Sequence, residues 1–118
     1  MRFLAGLVTS FRCAGRGLWL AIQGRNLRIM AGVLLAVVVL AASLEVSATR
    51  WAVLLVCASV VLTSEILNTS IERLADYVQR EYDEDIRAVK DLAAGAALLA
   101  SGLAATIGVI VFWPYVIK

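Results

Sequence analysis

An all-α membrane protein is the fold class this sequence predicts, and three observations predict it. Of 118 residues, 62% are hydrophobic and the mean hydropathy is +0.89. Such a chain is too apolar to cover a soluble globule and too short for more than one domain. Three long apolar runs, 27–44, 51–64 and 92–117, approach the roughly 20 residues that cross a hydrocarbon core of about 30 Å. The first 24 residues mix arginines with apolar residues at helical spacing, the pattern of a helix lying in the membrane interface. The expected architecture is one domain over residues 1–118: an N-terminal amphipathic interfacial helix followed by three transmembrane helices.

The interfacial helix is expected at about 2–24. Phe3, Leu4, Leu7 and Phe11 fall on one face, and Leu18 and Ile22 continue it less regularly. Arg12, Arg16 and Arg25 turn to the headgroups. Arg12 and Arg16 interrupt the apolar run and no small-residue cleavage site follows it, so an interfacial helix is favoured over a signal peptide. The spans are expected at about 27–47, 50–79 and 86–116, with a tight external turn at 45–50. Thr49 is the expected cap of the second span, a polar connection runs over 80–85, and Pro114 marks the fraying end of the third. Trp19, Trp51 and Trp113 sit near expected interfaces, as amphipathic aromatics do. The third span is studded with small residues from Ala93 to Gly108. In lipid, small residues let backbones approach closely, so this helix is expected to pack inside a bundle. Three spans make a thin bundle, and homo-oligomerisation is the expected way to bury polar groups within it.

Basic residues orient the chain. Arg2, Arg12, Arg16, Arg25 and Arg28 precede the first span, and Arg73, Arg80, Arg87 and Lys90 surround the second connection. Only Arg50 and Lys118 of the 11 lie on the other side. By the positive-inside rule the N-terminus and the second connection are cytoplasmic, and residues 45–50 and the C-terminus are external. The net charge of +2 is too small to argue for nucleic acid as a partner. Cys13 and Cys57 lack metal-ligand spacing and read as inert packing thiols. Histidine is absent, so acid–base chemistry falls to carboxylates, Lys or Tyr.

The chemistry concentrates in residues 65–91, which hold eight of the nine carboxylates. Glu65, Asn68, Glu72 and Asp76, spaced 3, 4 and 4, form one polar stripe at about 100° per residue. Ile66, Leu67, Ile71, Leu74 and Ala75 are expected on the apolar opposite face. A carboxylate at the centre of a membrane helix costs roughly 2.5–3.5 kcal/mol on insertion scales, so a series beginning inside the bilayer indicates a functional site. For Glu81, Asp83, Glu84 and Asp85 the plainer reading is a solvated helix end paired with nearby Arg and Lys. That reading fails for Glu65, which abuts the apolar run with no basic residue one turn away. Lys90 and Asp91, at the entrance of the third span, are expected level with Glu72 and Asp76. Phosphoryl transfer needs a positioned acceptor oxygen, a divalent metal, a cation for developing charge and in-line geometry. This constellation offers a deep carboxylate to accept a proton, a shallower one for Mg²⁺ and a lysine for phosphate.

Glu65-Ile-Leu-Asn68-Thr-Ser-Ile-Glu72, then Asp76, then Lys90-Asp91-Leu-Ala-Ala-Gly-Ala resembles the signature of the prokaryotic diacylglycerol kinase and undecaprenol kinase family. Ser10-Phe11 followed by Ala14-Gly15-Arg16-Gly17 is similar to the family's N-terminal helix, and the three-span layout matches along essentially the whole chain. The resemblance implies a homotrimeric bundle in a bacterial inner membrane that phosphorylates a lipid alcohol with MgATP, at sites shared between subunits. It implies that Glu65 is the catalytic base and touches the lipid substrate, and that Glu72 binds the metal and the nucleotide's side of the site. Asn68 and Asp76 line that site. Lys90 and Asp91 contact nucleotide, as do Glu81 and Tyr82 with Asp83, which stands where the family usually has histidine. Ala94 lies where the family's third helix meets lipid. One position departs: the family carries a second metal-binding glutamate near the end of the N-terminal helix. Here Gly24 or Arg25 stands in that place, and no acid occurs before Leu44. The expected function is therefore an ATP- and Mg²⁺-dependent lipid kinase acting on the primary hydroxyl of diacylglycerol or undecaprenol. The alternatives are a catalytically silent lipid-binding member and a small proton-coupled oligomeric transporter.

Overall fold

Four helices run through residues 1–117, the part of the chain that this computed structural model describes: α1 (Arg2–Ile22), α2 (Arg25–Ser43), α3 (Ala48–Val78) and α4 (Glu84–Val116). Lys118, counted above with the external cations, lies outside the described residues. The last three helices are long and apolar enough to cross a membrane, with mean hydropathies of 2.0, 1.8 and 2.1 over their most apolar stretches. At 1.5 Å per residue, the 31 residues of α3 reach about 46 Å. That exceeds a hydrocarbon core of about 30 Å, so one end of α3 must stand in the headgroups or in water. The end bearing Glu72 and Asp76 is the polar one.

The breaks between helices have identifiable causes. Gln23 caps the C-terminus of α1, and Gly24, in extended conformation (φ −70°, ψ 135°), starts α2. A Cβ at Gly24 would stand 3.2 Å from the carbonyl oxygen of Ala21, a tight fit that glycine avoids. Arg28 ties the corner by donating to the Gln23 carbonyl at 3.1 Å. The α2–α3 turn is tighter and earlier than the expected 45–50. Leu44 ends α2, Glu45 adopts φ 50°, and Val46 N–H bonds the Ala41 carbonyl while Glu45 N–H bonds that of Ala42, both at 3.2 Å. This pair of bonds is the Schellman arrangement, with Glu45 in the left-handed position glycine usually fills. Ser47, rather than Thr49, caps α3, its hydroxyl accepting from Arg50 N–H at 3.4 Å. Capping needs an extended backbone, and Ser47 (ψ 158°) has it, whereas Thr49 is already helical. α4 passes through Pro114 and ends two residues later, at Val116.

The helices close at one end and open at the other. At the turn end Ala41, Val46, Leu54 and Val111 form a buried cluster, packed by Trp51, Phe112 and Tyr115. Arg50 there donates to the Val111 carbonyl and lies over the Tyr115 ring, 5.5 Å from its centre. At the far end Lys90 and Asp76 join α4 to α3. These two ties set the antiparallel register of the α3–α4 pair, with 26 residues of α3, about 39 Å, between them. α2 packs on α3 and diverges from α4, leaving an apolar cleft of about 630 Å³ lined by Val33, Leu34, Val61, Ala105 and Gly108 among others. Cys57 lines this cleft, whereas Cys13 is exposed and packs against nothing buried. α1 buries no residue. It stands off the bundle as a free arm, and Phe3 and Phe11 remain 78% and 77% exposed.

Candidate active site

The site is built on the seam between α3 and α4. Ala93 and Ala97, one turn apart on α4, are buried there, and so is Ala75 on α3. Ala75 therefore belongs to the inward face with Asn68, not to the apolar opposite face expected from the sequence. At 100° per residue Asn68 and Ala75 are only about 20° apart. Small side chains on both helices let the backbones approach closely enough to bury polar groups between them.

Glu65 is 4% exposed and Asn68 is 8% exposed, and they are the chain's buried polar or charged side chains among the described residues. No described cation pairs with Glu65. Asn68 Oδ1 is buried without a hydrogen-bond partner. Buried polar groups are nearly always satisfied, and an orphan costs about 1–3 kcal/mol, so an acceptor left open in this way marks a place built for something else to donate. Glu72, one turn further, is half-buried, and Asp76 stands exposed at the rim. The stripe thus runs as a ladder, about 16 Å long from Glu65 to Asp76, from a buried carboxylate to an aqueous one.

Lys90 Nζ donates to Asp76 Oδ1 at 2.7 Å across the mouth of the seam. The expected levelling of Lys90 with the acids of α3 is realised as a direct ion pair. Asp91, by contrast, turns along its own helix to Arg87, 3.3 Å away, with both side chains about two-thirds exposed. Glu81 and Tyr82 sit in the connection between α3 and α4, and Tyr82 is 80% exposed. Asp83 caps α4: its Oδ1 accepts from the N–H groups of Asp85 and Ile86 at 3.0 and 3.1 Å. Glu84 and Asp85 add negative charge to that first turn, where the helix dipole favours it. Ala94 is exposed beside buried Ala93, on the surface of α4 rather than in the seam.

Two features were not anticipated from the sequence. Arg73, Tyr77 and Arg80 line a shallow hollow with Asp76, and the spacing of Arg73 and Tyr77 on one face of α3, with Arg80 two residues past its end, was the available signal. The Arg50 tie to α4 had no such signal, because a cation beside Trp51 reads as an ordinary interfacial residue. The departure at Gly24 and Arg25 persists: α1 and α2 carry no carboxylate. Among the described residues no three Asp, Glu or Cys side chains converge on one point. Glu72 and the open oxygen of Asn68, one turn apart along α3, are nonetheless both of the hard-oxygen type a divalent cation takes. A divalent cation that takes the rest of its shell from phosphate and water needs no more than one or two carboxylates.

Comparison with known proteins gives this arrangement a context. Residues 12–112 match the family described as prokaryotic diacylglycerol kinase. An undecaprenol kinase from Bacillus subtilis is 32% identical over 106 residues, covering 89% of this chain and 86% of that protein. A diacylglycerol kinase from Synechocystis is 38% identical over 104 residues, 86% of this chain, and the chain spans 59% of that protein's length. Fold, site and relatives together define a membrane protein of the lipid kinase class. The chain belongs to the prokaryotic diacylglycerol kinase family.

Proposed function

We propose that this protein transfers the γ-phosphoryl group of ATP, with Mg²⁺, to the primary hydroxyl of a membrane lipid. Diacylglycerol and undecaprenol are the two acceptors that the names of its relatives bring into question. The observation that carries the reading is Glu65, a carboxylate 4% exposed without a cation partner, two turns below a half-buried carboxylate and a lysine-bearing mouth. A structural ion pair would have been cheaper at the surface, whereas a base that must meet a lipid hydroxyl has to sit at membrane depth.

In this mechanism Glu65 accepts the proton of the lipid hydroxyl as its oxygen attacks the γ-phosphorus and the bond from that phosphorus to the β,γ-bridging oxygen breaks, releasing ADP. Asn68, one turn away, presents its free Oδ1 to a donor within the seam and orients what lies between Glu65 and Glu72. Glu72 would hold Mg²⁺, with Asp76 at the rim above it. A divalent cation held there would supply positive charge against the phosphates during transfer. Lys90 neutralises phosphate from the α4 side. Asp91, and Glu81, Tyr82 and Asp83 in the connection, complete the nucleotide's surroundings, with Asp83 also holding the start of α4 in place. Ala94, exposed on α4, meets the lipid. The seam excludes water through Ala75, Ala93 and Ala97, which protects the phosphoryl group from hydrolysis.

The enzyme works as a homotrimer in a bacterial cytoplasmic membrane, with its sites shared between subunits, and with the N-terminus and the α3–α4 connection in the cytoplasm, where MgATP is. α1 lies in the interface, its Phe3 and Phe11 in lipid and its arginines among headgroups. The test is Mg²⁺-dependent phosphate transfer in mixed micelles offered diacylglycerol and undecaprenol separately, with Glu65→Gln as control. Transfer to one lipid, absent from the control, establishes both the activity and the acceptor. No transfer to either from an intact oligomer overturns the proposal.

A further inference from the structure

Among the described residues, the ion pair between Asp76 and Lys90 is the one that joins two helices, since Arg87 and Asp91 are both on α4. Its 2.7 Å contact closes the polar end of the seam directly above half-buried Glu72 and buried Asn68. The partners are unequally held: the Lys90 side chain is 32% exposed and that of Asp76 is 63% exposed. Asp76 is the member free to turn outward. Each is suited to a different half of a metal–nucleotide complex, the carboxylate to the cation and the ammonium to phosphate. While bound to each other they serve neither.

We propose that this pair is a resting latch, exchanged on binding: Asp76 turns to the divalent cation and Lys90 to the phosphates, so the mouth admits the metal complex of a nucleotide in preference to the free nucleotide. The inference rests on the kinase reading above and adds a selection step to it. Free nucleotide offers a partner to Lys90 alone and leaves the Asp76 carboxylate facing phosphate charge. The metal complex offers a partner to both, so breaking the latch is compensated on both sides. Arg73 and Arg80, which share the hollow beside Asp76, attract the phosphates of either form and do not discriminate. In the resting state Asp76 keeps Lys90 aligned and idle, and it contacts the cation itself once the correct ligand arrives.

Equilibrium binding of a fluorescent, non-hydrolysable ATP analogue to the purified oligomer, once with Mg²⁺ and once with EDTA, tests this without reading turnover. Wild type is expected to gain affinity on adding Mg²⁺. Asp76→Asn, nearly isosteric and at an exposed position, is expected to bind the metal-free analogue about fivefold more tightly, the size of an ion-pair competition removed, and to lose part of the gain from Mg²⁺, the rest being carried by Glu72. Lys90→Gln is expected to bind both forms more weakly while retaining the gain, and Asp76→Glu to restore wild-type behaviour. If Asp76→Asn binds the metal-free analogue no more tightly, or keeps the full gain from Mg²⁺, the latch is overturned and the kinase reading stands. If wild type binds the analogue under neither condition, the kinase reading fails and the latch with it. Unchanged oligomer size and helicity of each variant separate these outcomes from misfolding.

Discussion

Glu65 and Asn68 stand one turn apart on α3, 4% and 8% exposed, and each should respond to substitution in its own way. Glu65→Gln keeps the shape and removes the proposed base, so lipid phosphorylation should fall by at least about 10²-fold, the contribution of a positioned general base. The oligomer should run unchanged on size exclusion in detergent. Near-normal turnover would remove Glu65 from the proton-accepting role. Asn68 carries the seam's orphan acceptor, and replacing an unsatisfied polar group with an apolar one of similar size relieves its desolvation. Asn68→Leu should therefore raise resistance to thermal unfolding, by about 1 kcal/mol, while lowering turnover by more than tenfold. A variant that loses both stability and activity would show that Asn68 is a structural residue. The stripe itself was legible in the sequence because a spacing of 3, 4 and 4 can describe only one helix face. Its burial was not, because whether Ala75 joins that face depends on how α4 approaches, and small residues at Ala93 and Ala97 permit more than one approach.

At the level of single helices, the ends decided what the periodicity could not. The apolar runs located α2, α3 and α4 to within a few residues, since hydrocarbon thickness fixes how long such a run must be. Their termini depend on single backbone conformations instead, and there Ser47 took the cap expected of Thr49. Glu45 shows the physical reason. A left-handed residue (φ 50°) ends α2, and the sequence offers no glycine to announce it. Placing an L side chain in that region costs roughly 1–2 kcal/mol relative to glycine. Glu45→Gly should accordingly stabilise the protein by about 1 kcal/mol without affecting turnover, as read from thermal unfolding of the detergent-solubilised oligomer. A loss of stability would mean that the Glu45 side chain has an unseen favourable role. Asp83 is the opposite case. Its carboxylate accepts two backbone N–H groups at the start of α4, so Asp83→Ala should cost about 1 kcal/mol. Because α4 begins six residues before Lys90, fraying of that turn should also raise KM for ATP more than it lowers kcat. An unchanged KM would confine Asp83 to the cap.

For the whole molecule, the chain's topology constrains where the chemistry can occur. Three crossings put the Gly24 corner and the α3–α4 connection on one side of the bilayer, and the Leu44–Ser47 turn on the other. The ion pair of Asp76 with Lys90 and the tie of Arg50 to α4 mark these two ends about 39 Å apart along α3, beyond both faces of a core of about 30 Å. Nine of the 11 basic residues belong to the first side, which the positive-inside rule predicts to be cytoplasmic. On the proposed reading ATP and the acidic ladder then face the same compartment, and Glu65 is reached from it through the seam rather than across the membrane. A single cysteine reports this directly once Cys13 and Cys57 are replaced by alanine. Glu81→Cys should resist a membrane-impermeant maleimide added to intact spheroplasts and react after permeabilisation, whereas Glu45→Cys should react in both. The reverse pattern would place the site away from ATP and end the kinase reading whatever the geometry of its residues. Labelling of both positions in intact cells would instead remove one of the three crossings, and with it the depth argument that makes Glu65 a base rather than a surface charge.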